Sequence, residues 1–170
     1  AAPALSAPPP LPQEWPARWV DMKRGADLAT AALYVRYAVR FKTAKGTSVA
    51  PAPIENRINI HPMVEMSLVS GVGQPAAYAM VILAEHLRPR MGEADFRAQV
   101  EGEFQQLLKD VNSAIADHEQ LHMIVVAKDP WSIENGFLTP TMKVRRGRIE
   151  KAFEPHVASW YSSGRRVHWH

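Results

Sequence analysis

Cysteine is missing from all 170 residues, which excludes disulfides, thiolate chemistry and Cys-ligated metals and is compatible with a reducing cytosol. Long apolar runs are missing too. None approaches the roughly 20 residues needed to span a bilayer, and the N-terminus lacks the basic-then-apolar order of a secretory leader, so a cytoplasmic protein without a transmembrane segment is expected. The charge excess is small, +3. The basic residues gather toward the C-terminal end rather than in a stripe interleaved with aromatics, so nucleic acid is not expected as a partner. No H-E-x-x-H pattern occurs. His118 and His122 are four apart, but residues 121–127 read as a strand, so the pair does not share a helical face and no metal site is predicted. His168 and His170 fall at what reads as a frayed end. Gly71-Val72-Gly73 offers G-x-G with no third glycine and no helix after it, which reads as a turn rather than a dinucleotide loop.

What is present divides into an arm, a domain and a tail. Residues 1–32 are rich in Pro and Ala, which bury little, and are expected to form a disordered arm whose PPPLP string suits either a linker or a proline-recognition module. Residues 33–41, LYVRYAVRF, favour a strand, followed by a turn over 42–48 on Gly46. A helix begins near Pro51 and Pro53, places Ile54, Ile58 and Ile60 on one face, and stops at His61-Pro62. Residues 64–72 and 78–85 read as an antiparallel pair, the second covered on both faces. Phe96, Val100, Phe104, Leu107, Leu108, Val111 and Ile115 recur every three or four residues through a predicted helix over 92–119. A strand over 121–127 and a helix over 146–161 complete the pattern. The fold class is α+β: a small mixed or antiparallel sheet of about three strands packed by helices, with an N-terminal hairpin or strand. The domain spans 33–161, and residues 162–170 read as a tail.

The most informative stretch is DPWSIENGFLTPTMKVRRGRIEK, residues 129–151. It passes through Pro130, Asn135, Gly136 and Pro140, then presents Lys143, Arg145, Arg146, Arg148 and Lys151. Lysine supplies a mobile point charge and arginine a planar fork, a combination suited to phosphate. A solvated basic face at the start of the last helix is the plainer alternative.

The spelling adds to this. WSIENGFLTPTMKVRRGRI resembles the closing segment of long-chain acyl-CoA synthetases of the AMP-binding, adenylate-forming superfamily, approximately W-[ST]-[IV]-E-N-G-[LF]-L-T-P-T-x-K-x-[KR]-R. FKT-x-KG-x-x-VAPAPIEN resembles the loop leading from that family's hinge into its C-terminal domain. The likeness covers residues 41–161 and implies the C-terminal domain fold. It further implies a catalytic Lys143 beside the acyl-phosphate, phosphate or nucleotide contacts from Arg146 and Arg145, and a CoA-proximal loop containing Lys42, Lys45 and Gly46. Glu55 takes a buried structural role. The parent family uses ATP, Mg and CoA, none of which this chain alone is expected to hold tightly, and its substrates are a fatty acid and CoA. Because those enzymes handle lipid, peripheral membrane contact stays open.

The 170 residues contain no Ser/Thr/Gly-rich phosphate loop and no T-G-D motif. Where the family's hinge reads G-R-x-K-[DE]-x-F-K-T, only Arg36 matches and the acidic hinge residue is lost. Thr47-Ser48 replaces the usual Lys/Glu-Tyr before V-A-P. The expectation is a detached C-terminal domain, nearly inactive without a separately encoded N-terminal adenylation domain. The alternative is a non-catalytic interaction protein, or gene fragment, that keeps the scaffold. The resemblance starts inside a strand, as a shift of reading frame would leave it. Residues 1–32 are therefore expected not to pack on the domain, and their deletion to cost under about 1 kcal/mol of thermal stability.

Overall fold

A computed structural model describes residues 39–170. The expected arm, and most of the strand expected over 33–41, lie outside the described residues.

The described chain opens on an antiparallel hairpin of β1 (Phe41–Lys42) and β2 (Ser48–Val49). Gly46, at φ +75°, makes the turn, and its N–H donates to the Thr43 carbonyl at 2.9 Å. Helix α1 (Pro51–Ile58) follows with proline in its first turn, where the lost N–H has no helical partner to satisfy. Ile54 and Ile58 are buried, but Ile60 is 82% exposed, contrary to the sequence expectation. The helix ends two residues earlier, with the Asn59 N–H bonded to the Glu55 carbonyl at 2.8 Å, so Ile60 leaves the apolar face.

Strands β3 (Val64–Ser70) and β4 (Ala77–Leu83) form the predicted antiparallel pair. All seven β4 residues are buried, because helices or loops cover both faces of the sheet. Helix α2 (Ala94–Ser113) lays Phe96, Val100, Phe104, Leu107, Leu108 and Val111 on one face. It stops short of the predicted 119. The Asn112 side chain donates to the Leu121 carbonyl at 2.9 Å and accepts from the Leu121 N–H at 2.8 Å, turning the chain into β5 (Leu121–Val126). Strand β5 lies parallel to β4. Helix α3 (Arg146–Ser162) covers the opposite face through Ile149, Val157 and Trp160, alongside Trp131 and Leu138.

The expected tail is corrected by the structure. Val167–Trp169 forms strand β6, parallel to β5, so the sheet has four strands in the order β3-β4-β5-β6. Val167 packs into the α2 core, the Trp169 indole N–H donates to Glu101 at 3.0 Å, and the His170 N–H donates to the Val126 carbonyl at 2.9 Å. His168 is buried within this strand rather than frayed. The fold class stands, with a fourth strand added. Among the described residues no helix is long and apolar enough to cross a membrane.

Candidate functional site

Residues 129–145 form two joined turns that lead into the first turn of α3. In the first, Asn135 acts as a local brace: its carboxamide oxygen accepts from the Ser132 N–H at 3.0 Å and the Phe137 N–H at 3.2 Å, and its amide donates to the Pro130 carbonyl at 2.9 Å. A side chain bonding its own neighbouring backbone in this way builds a turn without regular structure. Gly136 follows at φ +80°, and a Cβ there would lie 3.1 Å from the Arg148 guanidinium. The glycine thus allows both the left-handed backbone and the arginine lying against it.

The second turn carries Lys143. Leu138 and Val144 form an antiparallel bridge, the Thr139 N–H donates to the Lys143 carbonyl at 2.8 Å, and the Lys143 N–H returns to Thr139 Oγ1 at 3.0 Å. Met142, at φ +63°, is the residue in the left-handed region that closes this tight loop. The backbone of Lys143 is fixed while its side chain is exposed. Among the described residues its ammonium makes no ion pair or hydrogen bond. Arg145 is also exposed, and its N–H donates to the Phe137 carbonyl at 2.8 Å, joining the two turns.

Arg146 is placed differently. Its Nη1 donates to the Val69 carbonyl at 2.7 Å and its Nη2 to Glu55 Oε1, which also accepts from the Val69 N–H at 3.0 Å. Glu55 is only 8% exposed, as its expected structural role requires. The sequence placed Arg146 among the phosphate contacts. It gave no sign of this partner, ninety-one residues away in the chain.

The other candidate loop, with Lys42, Lys45 and Gly46, is the β1–β2 turn. All three residues are exposed, and a Cβ on Gly46 would meet nothing within 4 Å. The Lys42 carbonyl accepts from the Gly73 N–H at 3.0 Å, and the Ala44 N–H donates to the Gln74 carbonyl at 2.8 Å. Both candidate loops are therefore anchored to the same end of β3: one on Val69 through Arg146, the other on Gly73 and Gln74 just beyond it.

The histidines lie elsewhere. His122 stacks on Tyr161 at 5.1 Å, and burial, then the nearby Arg166 and His168, pushes its pKa down. Burial also pushes the Tyr161 hydroxyl well above its ordinary range, while it donates to the Ala76 carbonyl. Among the described residues no group of three or more His, Asp or Glu could share a metal ion.

A family profile described as the AMP-binding enzyme C-terminal domain matches residues 40–165. The chain belongs to this family. The AMP-binding C-terminal domain aligns with long-chain-fatty-acid–CoA ligase 5 of Rattus norvegicus at 29% identity, covering 72% of this chain and 20% of the relative. It aligns with long-chain-fatty-acid–CoA ligase 1 of Homo sapiens at 30% identity over the same shares, 72% and 20%. The chain thus spans a small part of the curated relatives it matches. The adenylation domain of a carboxylate reductase from Mycobacterium chelonae shares the fold at TM-score 0.57 and 21% identity, covering 72% of this chain and 19% of that one. The A-PCP didomain of a carboxylic acid reductase from Segniliparus rugosus, solved with AMP, gives TM-score 0.57 at 19% identity, covering 73% of this chain and 17% of that one. The profile stops at 165, so β6 lies beyond the matched segment.

Proposed function

We propose that this AMP-binding C-terminal domain serves ATP-dependent ligation of a long-chain fatty acid to CoA, acting with a large adenylation domain. The observation that carries this reading is the Thr139–Lys143 loop, which fixes a lysine backbone by two hydrogen bonds yet leaves the ammonium without a partner among the described residues. In the first half-reaction the fatty carboxylate attacks the α-phosphorus of ATP, a P–O bond forms and pyrophosphate leaves. Lys143 offsets the negative charge that builds on the α-phosphate and the leaving group, and Arg145 supplies a second exposed cation. In the second half-reaction the CoA thiolate attacks the acyl carbonyl and AMP departs. The β1–β2 loop, with Lys42, Lys45 and Gly46, faces the pantetheine arm in that step.

The exposed cations fit phosphate oxygens. No carboxylate cluster among the described residues fits Mg²⁺, which belongs with the nucleotide phosphates. One positioned cation contributes on the order of 10²- to 10³-fold in rate, so loss of the Lys143 ammonium is expected to cost a factor of that size. Mixing the chain with a separately expressed large domain is expected to raise acyl-adenylate formation, and Lys143→Ala to remove that gain without lowering the melting temperature. An unchanged rate for Lys143→Ala would favour the non-catalytic scaffold instead.

A further inference from the structure

We infer that Arg146 and Glu55 form a clamp that positions the Lys143 loop, with Arg146 a positioning residue rather than a phosphate ligand. This deepens the function proposed above and depends on it only for the kinetic half of its test.

The clamp is built on the free edge of the sheet. Val69 sits opposite Ala79 of β4 with its N–H and C=O pointing away from that strand, as alternate residues of an antiparallel pair do, and β3 is the outer strand, so no further strand meets them. Glu55 Oε1 takes the N–H, Arg146 Nη1 takes the carbonyl, and Arg146 Nη2 closes the ring on the same carboxylate oxygen. Swinging the guanidinium out to a phosphate would leave a nearly buried carboxylate without its counter-charge and a backbone carbonyl without its donor. Removing one partner of a buried pair costs more than the pair contributes, because the remaining charge stays desolvated. Arg145 and Lys143, both exposed, carry no such penalty.

The connection to Lys143 is short. Arg146 opens α3, and the preceding Arg145 N–H is bonded to Phe137 while Val144 bridges Leu138. Holding Arg146 therefore holds the base of the loop whose tip fixes Lys143.

A phosphate ligand and a clamp predict opposite behaviour for Glu55. If Arg146 binds phosphate, Glu55→Gln frees the guanidinium, leaves kcat intact, and only Arg146→Met raises the KM for ATP. If Arg146 is a clamp, Glu55→Gln and Arg146→Met act alike. With the large domain supplied in trans, each is expected to lower kcat for pyrophosphate release about tenfold, the scale of one charged hydrogen bond, with the KM for ATP within about twofold of the parent. Amide exchange by NMR on the 170-residue chain alone gives a readout independent of any ligase activity. Exchange at Lys143 and Arg145 is expected to quicken about tenfold in both variants, while Val125 in β5 is unchanged. If the Met variant does not fold, Arg146→Lys, which can reach Glu55 or Val69 but not both, carries the same comparison. Unchanged exchange at Lys143 and Arg145, or a KM effect confined to Arg146, overturns the clamp. Quickened exchange without any reconstituted activity leaves the clamp standing and removes the proposed function.

Discussion

At the scale of single residues, the two turns over residues 129–145 are held by backbone geometry more than by packing. Gly136 is the clearest case, because its φ of +80° is one that L side chains rarely adopt. Gly136→Ala is expected to cost about 1 kcal/mol, roughly 3 °C in a domain of this size, read as a lowered melting temperature. A melting temperature equal to the parent's would show that the turn relaxes freely. Much of this was legible in the sequence, since E-N-G names a turn and the basic run after it names a charge cluster. The division of labour within that run was not. Arg145 and Arg146 look interchangeable as letters, and only the folded chain brings Glu55 against one of them.

At the scale of elements, β6 is what the sequence reading missed. A three-residue strand is too short to show alternation, and parallel pairing to β5 has no local turn to announce it. The residues that make it also make it sensitive to acid. Burial, then His156 and Lys128, pushes the His170 pKa down, and burial is likewise the largest effect lowering that of His168. The His156 and His170 rings lie 4.3 Å apart, with Trp160 and Phe153 also against His170. A folded-state pKa below the ordinary 6.5 means that the unfolded chain binds more protons. Stability is therefore full above pH 6.5 and falls as pH drops through the folded values. Melting temperatures at pH values stepped downward from neutral are expected to decline, and a His168→Gln/His170→Gln variant to decline less. An equal decline would place the titrating groups elsewhere. The end of α2 was also misread, because the apolar repeat continues to Ile115 while Asn112 has already turned the chain toward β5.

At the scale of the whole molecule, the α+β class and the central strand pair followed from periodicity, since β3, β4 and α2 carry clean patterns bounded by turn residues. The sheet's two margins did not follow, because each is finished by a distant part of the chain: Glu55 and Arg146 at β3, and residues after α3 at β6. This has a consequence for how the molecule comes together in time. The β3–β4 hairpin joins neighbours in sequence and closes early, but β6 reaches β5 only after the Lys143 loop and all of α3 have been made. Pairing across so long a segment is slow, since the chain must surrender its freedom before the contacts reward it. On the ribosome, the β5 margin stays open until residues 167–169 emerge, and a chain stalled before residue 167 offers a bare parallel edge to its neighbours. Pulse-labelled refolding is expected to show the outer β5 amides protected last.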